Sequence, residues 1–355
     1  MKKKIAFIVC SNGYGHLKRD IAIILALQKK NPSLHFDIFC QKKLIHFALN
    51  EINFKLANIN LNYHHDATVN EINWLNGENI TILKYNKWLN ELKNNPILNN
   101  ADLILSDNHV LPLRIFTNAR LIGSFLWHDV NVFSGMEAKQ IAEEERDFIK
   151  KRKPDMFCVG VMAMSEVLSN TNPIKLPWYC NKLSKNKIQI LKKAILVTGG
   201  GTSLITDLLT KYTLLISAHI PEWDIFVDSK LYNKIGEFRP LNVKQFKFTD
   251  KNFLSLSAIV CRPGIGILDD CVKYCIPAVV IGDVYNSEIN HNAKRVKELG
   301  IGISFEFDTS VEIIVEETVD FINDDLRMNI LRSNLQNQLT GGAELCADYI
   351  INLIK

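Results

Sequence analysis

The sequence predicts an α/β protein with two doubly wound domains that face each other across a cleft. The chain opens with a strand, a glycine turn, a helix and a second strand, and the same order begins again near residue 194. Its 355 residues also exceed what one ordinary compact core requires. We expect an N-terminal domain over 1–171, a linker over 172–190, a C-terminal domain over 191–335 and a helix over 336–355, for which packing on the N-terminal domain is one option.

The N-terminal domain is predicted from its first βαβ unit. Residues 4–10 form an apolar run, residues 11–16 a turn, and residues 17–30 an amphipathic stretch that ends in two lysines just before Pro32. Basic residues in a last turn, followed by proline, are typical of a helix end. Further strands are predicted at 34–40, 102–107, 121–128 and 156–164, with helices at 42–49 and 85–94; the rest of 60–99 has no assignable pattern.

The C-terminal domain is predicted from the same alternation. Pro173 and Pro177 mark the linker, and a lysine-rich stretch continues it towards residue 193. Strands are then predicted at 194–198, 223–228, 256–261 and 277–282. Ligands of doubly wound sheets bind at the carboxyl ends of the strands, so the residues that follow these runs are the candidates for function.

Composition and charge narrow the class of protein. No apolar run approaches the roughly 20 residues that a membrane-spanning helix needs. The apolar run 4–10 ends at Ser11, and no small-residue cleavage site of a signal peptide follows it. We therefore expect a buried strand there, and a cytoplasmic protein. The net charge of +4 is too mild to indicate nucleic-acid binding. The basic run 150–153 is typical of a solvated helix end, and a peripheral contact with acidic lipid stays open.

The eight cysteines indicate neither disulfides nor a metal site. Cys10 and several others lie in apolar, strand-like runs, where a free thiol behaves as a small hydrophobe. Cys271 and Cys275 are four residues apart on a predicted helix, but no second pair follows at zinc-site spacing. We therefore expect buried thiols and no bound metal.

The first candidate for ligand chemistry is the turn Gly199-Gly200-Gly201-Thr202, between a predicted strand and a predicted helix. Glycines let the backbone approach a bulky anion, and the N-terminus of the helix supplies free N–H groups and a positive dipole end. This favours a pyrophosphate site. The alternative is a tight turn that needs positive φ angles.

The second candidate follows the strand 256–261. Arg262, Gly264, Ile265 and Gly266 form another turn into a helix, where backbone N–H groups and the guanidinium could hold phosphate. Asp269 and Asp270 come one turn later. Either acid could complement the helix dipole, or one could accept hydrogen bonds from a ribose diol.

The third candidate is the polar segment 283–293. It follows a short apolar run and leads into a helix, and its Glu288 and Asn292 offer acceptors and donors suited to sugar hydroxyls. Helix capping by Ser287 is the structural alternative.

These three segments resemble the donor-binding half of GT-B glycosyltransferases, a fold of two Rossmann-like domains, and most of all family 28, which includes the N-acetylglucosaminyltransferase that forms lipid II. The resemblance implies that Asp270 holds the nucleotide ribose, Glu288 reads the sugar and Phe248 lines the base. Two departures concern specificity: Ile289 stands where the family has a second Gln, and Asp270 replaces the usual Glu.

The N-terminal turn Gly13-Tyr14-Gly15-His16, with Arg19 one helical turn later, resembles the G-x-G-H-x-x-R segment of the same superfamily. It is also similar to the turn of the UDP-sugar hydrolase of pseudaminic acid synthesis. A histidine at the mouth of a first strand suits general base catalysis near neutral pH. Asp107, at the end of its predicted strand, could orient His16. Rival bases in similar loop positions are His109 and His128.

Together these observations predict an inverting, metal-independent glycosyltransferase that moves a sugar from a nucleotide donor, UDP first among the bases, to a glycan or lipid-linked acceptor in cell-surface polysaccharide synthesis. A nucleotide-sugar hydrolase, a non-hydrolysing epimerase and an inactive nucleotide-sugar-binding protein remain alternatives. The expected catalytic residues are His16 and Asp107, and no cofactor is expected besides the donor. The expected donor-binding residues are Gly13, Gly15, Arg19, Gly199, Gly200, Gly201, Thr202, Phe248, Arg262, Gly264, Ile265, Gly266, Asp270, Glu288 and Asn292.

Overall fold

The structure is a computed structural model that describes residues 2–50, 61–74, 80–130, 135–183, 193–200, 205–283 and 285–355. The chain forms two compact units. The N-terminal unit comprises Met1–Tyr179, Tyr285–Glu288 and Gly341–Lys355, and the C-terminal unit comprises Cys180–Val284 and Ile289–Thr340.

The N-terminal unit is built on a seven-stranded parallel sheet in the order β3-β2-β1-β4-β5-β6-β7. Its strands are β1 (Lys4–Ile8), β2 (His35–Phe39), β3 (Leu61–His64), β4 (Leu103–Asp107), β5 (Ala119–Ile122), β6 (Asp155–Val159) and β7 (Asn172–Leu176). The central pair sets the register, with Ala6 opposite Ile104 and Ile8 opposite Ser106. Since β1 and β4 are parallel neighbours, the segments that follow them emerge at the same edge of the sheet.

Helices cover this sheet. They are α1 (Tyr14–Lys30), α2 (Lys42–Asn50), α3 (Ile82–Lys93), α4 (Pro96–Asn99), α5 (Leu111–Ile115), α6 (Trp127–Val130), α7 (Met136–Arg152), α8 (Ser165–Asn170) and, at the end of the chain, α16 (Gly342–Leu353). Helix α1 begins at Gly13, buries its Leu17, Ile21 and Ile24 face, and ends where the Asn31 N–H donates to the Leu27 carbonyl. Helix α16 packs against α1, and Lys30 Nζ donates to Asp348 Oδ1 over 2.6 Å.

The C-terminal unit is built on a six-stranded parallel sheet in the order β10-β9-β8-β11-β12-β13. Its strands are β8 (Ala194–Thr198), β9 (Asp224–Val227), β10 (Val243–Gln245), β11 (Ala258–Cys261), β12 (Ala278–Ile281) and β13 (Gly302–Phe305). Its helices are α9 (Thr206–His219), α10 (Ser229–Ile235), α11 (Asp250–Phe253), α12 (Ile265–Tyr274), α13 (Ser287–Glu298), α14 (Val311–Asn323) and α15 (Asp325–Asn337), with the first residues of α13 counted in the N-terminal unit. Fully buried aliphatic residues of β8, β11 and β12 form the centre of its core.

Three segments differ from the sequence prediction. The strand predicted at 156–164 ends at Val159, and a 3-10 helix (Gly160–Met162) follows it. The strand predicted at 121–128 ends at Ile122, because Gly123 turns the chain at φ +150°. A side chain at this position would clash with Asn108, whose Oδ1 would lie 1.6 Å from the Cβ. The stretch expected to open the linker forms the edge strand β7, in which Pro173 lies opposite Met156. Among the described helices, none combines the length and the apolarity that crossing a membrane requires.

Candidate functional site

The residues expected to be catalytic meet at the carboxyl end of β1 and β4. His16 is the third residue of α1, and Asp107 is the last residue of β4. The two side chains are joined by a hydrogen bond of 2.8 Å between His16 Nδ1 and Asp107 Oδ1. We call His16, Arg19, Asp20 and Asp107 the His16 cluster.

Arg19 completes this cluster from the same face of α1, one turn after His16. Its Nη2 donates to Asp107 Oδ1 and lies 3.3 Å from His16 Nδ1, and its guanidinium carbon lies 5.8 Å from the centre of the Tyr179 ring. Burial opposes the charge of Arg19, but the Asp107 carboxylate, together with smaller contributions from Tyr179 and Asp20, outweighs it and raises the pKa of the guanidinium. The guanidinium therefore binds the Asp107 carboxylate, and the expected role of Arg19 in donor binding stays a prediction.

The pKa values of two carboxyl groups of the cluster are shifted in opposite directions. Burial alone would raise the pKa of Asp107, but the charges of Arg19 and His16 lower it to about 2. Asp20 is fully buried beside it, and burial, followed by the Asp107 charge, raises the pKa of Asp20 well above its usual range. Asp107 is thus ionised at neutral pH, whereas the surroundings of Asp20 disfavour its ionisation.

The ionised Asp107 fixes the tautomer of His16. A carboxylate can only accept, so Nδ1 carries the proton that it donates to Asp107. Within the described part of the chain, the one hydrogen bond of His16 is the one from Nδ1 to Asp107, because the Arg19 Nη2 that lies 3.3 Å from Nδ1 is also a donor. The imidazole is 14% exposed and lies near the rings of Phe125 and Trp127, at 6.3 and 6.5 Å between centroids. Nε2 is thereby left as the nitrogen that can accept a proton from a substrate.

The rival histidines are less accessible. The side chain of His109 is fully buried, and its Nε2 lies 3.0 Å from Glu71 Oε1. His128 is also buried, with its ring nitrogens 3.4 Å from Asp129 and 3.5 Å from Glu145. Both imidazoles face acidic groups of the interior, so His16 is the better candidate for general base.

The carboxylate of Asp228, a residue for which the sequence predicted no role, holds the glycine turn after β8. Asp228 Oδ2 accepts from Thr198 Oγ1 over 2.8 Å and from the Gly199 N–H over 3.2 Å, while Asp228 Oδ1 caps α10. Gly200 has φ +67°, and among the described residues no atom beyond its chain neighbours lies within 4 Å of the place where its Cβ would be. One feature of the sequence could have indicated Asp228: it is a carboxylate at the end of a predicted strand. Gly201 and Thr202 lie outside the described residues.

The turn after β11 leads into the ten-residue helix α12. Gly264 is the N-cap of this helix, and Ile265 and Gly266 are its first two residues. The φ of Gly264, −72°, is accessible to any residue, and in the described part of the chain no atom beyond its chain neighbours lies within 4 Å of a Cβ built there. The backbone of Gly264 therefore borders open space at the positive end of a helix dipole.

Side chains from the segment after β12 and from α13 support this turn. Asn292 is buried and donates through Nδ2 to the Pro263 carbonyl over 2.8 Å. Arg262 Nη2 lies 3.4 Å from Asp283 Oδ2, and the Asp283 N–H donates to Asn290 Oδ1 over 2.9 Å. Asn292 thus holds the turn through its hydrogen bond to the Pro263 carbonyl, and the Asp283 carboxylate orients the Arg262 side chain.

The remaining donor-binding candidates lie at separate places. Asp270 is buried on α12, and Glu288 is a buried residue in the first turn of α13. Phe248 packs edge-to-face on Phe246 and Phe253, with centroids 5.1 and 6.0 Å apart. Gly13 and Gly15 lie at the start of α1, beside His16. The roles assigned to these five residues stay predictions.

Known proteins resemble this chain in structure rather than in sequence. No family model and no curated protein matches the sequence. The glycotransferase of kitacinnamycin superposes with a TM-score of 0.67 at 14% identity over 99% of each chain. Medicago truncatula UGT71G1, crystallised with UDP-glucose, has a TM-score of 0.65 at 14% identity over 100% of this chain and 99% of its own. The Streptomyces sp. SF2575 glycosyltransferase SsfS6, crystallised with thymidine diphosphate, has a TM-score of 0.59 at 13% identity over 99% of each chain.

At these identities the likeness concerns the fold. Each of the three superpositions spans both parallel-sheet units. Two of the neighbours are glycosyltransferases by name, and the third was crystallised with UDP-glucose. The predicted fold class is therefore confirmed, whereas the closer likeness to family 28 and to the hydrolase stays a prediction. The two parallel α/β units of this chain have the GT-B fold.

Proposed function

We propose that this chain is an inverting glycosyltransferase. It takes a sugar from a nucleotide donor, with UDP as the preferred nucleotide, and transfers it to a hydroxyl group of a glycan or lipid-linked acceptor. The observation that carries the proposal is the 2.8 Å bond between His16 and Asp107 at the strand ends of the N-terminal unit. The fold shared with sugar transferases supports it. Cell-surface polysaccharide synthesis is the process that we assign, on the resemblance to family 28.

In the proposed reaction, His16 Nε2 removes the proton of the acceptor hydroxyl. The acceptor oxygen attacks the anomeric carbon of the sugar as the bond from that carbon to the phosphate oxygen breaks, and the electron pair leaves with the nucleoside diphosphate. Attack from the face opposite the leaving group inverts the anomeric centre. Asp107 stabilises the imidazolium that forms, since it already accepts the Nδ1 proton.

The C-terminal unit supplies the groups suited to the departing diphosphate. The first turn of α12, which follows the open backbone at Gly264, presents N–H groups and the positive end of the helix dipole. The N–H groups of Gly200 and Gly264 themselves donate to Thr198 Oγ1 and to the Arg262 carbonyl. Arg262 stands at the same turn, within reach of Asp283. We propose that these groups meet the leaving-group charge, so that transfer is independent of a metal ion.

Donor and acceptor dependence test this proposal. The purified chain is incubated with UDP-, TDP-, GDP- and CMP-sugars, with and without an extract of glycans and lipid-linked sugars, and nucleotide release and sugar transfer are both measured. We expect release to depend on the acceptor and to be fastest with a UDP-sugar. Rapid and complete release of free sugar without acceptor would instead show a hydrolase, and sugar interconversion without nucleotide release would show an epimerase.

Substitution of Gly264 by Ala tests the phosphate site. Its φ of −72° suits alanine and its surroundings are open, so we expect the unfolding temperature to stay the same. The added methyl group would keep a diphosphate from the backbone N–H groups. The affinity for UDP should therefore fall by about tenfold or more, the cost of roughly one charge-assisted hydrogen bond.

Calorimetric titration with UDP measures this effect. Ser229→Ala, an exposed substitution at the start of α10, is the matched control and should leave the affinity as it is. A Gly264→Ala protein that binds UDP like the wild type would place the diphosphate elsewhere.

A further inference from the structure

A second cluster of reactive side chains lies in the N-terminal unit, apart from the His16 cluster. Cys10 follows β1, Glu71 follows the short 3-10 helix Asp66–Thr68, and His109 follows β4. One ligand atom from each, a thiol sulfur, a carboxylate oxygen and an imidazole nitrogen, can be chosen so that all three lie within 4.8 Å of one another. We call these residues the Cys10 cluster.

The cluster is buried and its members are held in place. The side chains of His109 and Glu71 are 0% and 3% exposed, and Cys10 is fully buried. Glu71 accepts from the Ser11 N–H over 2.8 Å and from Ser11 Oγ, and its Oε1 lies 3.0 Å from His109 Nε2. The His109 ring also packs edge-to-face on Trp88, with centroids 4.9 Å apart. Three segments of the chain are therefore fixed around one point.

The electrostatic field at this point favours a cation. The Glu71 carboxyl group lies within the cluster and the Asp107 carboxyl group acts on the same sulfur, so negative charge surrounds Cys10. Such charge would attract a divalent cation, and a bound cation in turn favours the thiolate. The 3.0 Å bond between His109 and Glu71 is the interaction that a cation would replace.

The ligand types select the cation. Thiolate, imidazole and carboxylate are the three side-chain ligands of protein zinc sites, at bond lengths of about 2.0–2.3 Å, which places the ligand atoms of a tetrahedral site within about 4 Å of one another. Calcium and magnesium prefer sets of oxygen ligands. We propose that Cys10, Glu71 and His109 form a binding site for one Zn²⁺ or a similar transition-metal ion.

Such a site goes beyond the proposed sugar transfer. It contains no member of the His16 cluster, and it joins the end of β1, from which the turn to His16 starts, to the segment after β4. The bound ion would tie the Glu71 segment to these strand ends. The expectation from the sequence, that the cysteines bind no metal, is replaced by this proposal at Cys10.

Metal content and spectroscopy test the site. The full chain without a polyhistidine tag is stripped with chelator under reducing conditions, loaded with Zn²⁺ and desalted, and the retained metal is measured. We expect about one equivalent of zinc per chain, and a higher unfolding temperature with the ion than without it. Co²⁺ in place of zinc should give the near-ultraviolet charge-transfer absorption of a cobalt–thiolate bond.

Matched variants locate the ligands. Cys10→Ser and His109→Ala should each lower zinc affinity by at least about tenfold and Cys10→Ser should remove the cobalt–thiolate absorption, whereas Cys275→Ser, at a half-buried thiol of the C-terminal unit, should change neither. Less than about a tenth of an equivalent of retained metal in the wild type, or a cobalt spectrum without thiolate absorption, would overturn the proposal even if a variant fails to fold. Because metal content is the readout, this result is independent of whether the chain transfers sugar.

Discussion

The His16→Ala protein is expected to transfer sugar about 10²- to 10⁴-fold more slowly than the wild type, which is the usual contribution of a general base. The imidazole is the one group of the His16 cluster that combines partial exposure with an unoccupied ring nitrogen, within the residues that the structure describes. Its removal leaves Asp107 paired with Arg19 through their direct bond. The loss should therefore lie in the chemical step and leave the fold intact.

Single-turnover transfer and UDP titration separate these contributions. UDP affinity should be unchanged, because the groups assigned to the diphosphate belong to the C-terminal unit. His46→Ala, at an exposed histidine of the same N-terminal unit, serves as the control and should transfer at the wild-type rate. If His16→Ala kept more than about a tenth of the wild-type rate, another group would have to be the base.

The pairing of His16 with Asp107 could be predicted because it depends on the order of the sheet. A strand–turn–helix pattern placed His16 after the first strand, and the apolar run 102–107 ended in a carboxylate. The parallel pairing of β1 with β4 then brings both to one edge. Arg19 could have been foreseen in part, since it lies one helical turn from His16. Its actual partner could not, because the salt bridge spans 88 residues of sequence.

Other parts of the site had no local signal. Glu71 lies in the stretch 60–99, where the sequence shows no period, and its contacts with Ser11 and His109 join residues 60 and 38 positions away. Strand β5 ends early, at Ile122, because Asn108 approaches Gly123 closely, and Asn108 follows the neighbouring strand β4. Long-range contacts of this kind decide which polar groups become buried. Hydrophobic periodicity is a local signal and does not predict these contacts.

Replacement of Asp107 by Asn should have the second large effect, on stability as well as on activity. The substitution leaves the buried Arg19 without its counter-charge, and breaking a buried ion pair from one side costs about 3–5 kcal/mol in the free energy of unfolding. It also removes the acceptor of the His16 Nδ1 proton, so transfer should fall with it.

The stability difference should depend on pH with a definite sign. The folded-state pKa of Asp107 is about 2, below the value of about 3.9 expected for an unfolded chain, so its contribution is fully present above pH 4. That contribution is lost as the pH falls through 2. The gap in unfolding free energy between the wild type and Asp107→Asn should therefore be constant near neutral pH and narrow in acid.

A double-mutant cycle with Arg19→Met distinguishes the ion pair from a general disturbance of the core. Each single substitution leaves one polar group of the pair buried and unmatched, whereas the double variant removes both charges, and replacing both partners of a buried pair is often nearly neutral. Urea unfolding should show the double variant to be more stable than Asp107→Asn alone, while its transfer rate stays low because His16 still lacks its carboxylate. Stability losses that simply add would contradict a direct bond between Arg19 and Asp107. Recovery of transfer in the double variant would contradict the role of Asp107 in holding the imidazole.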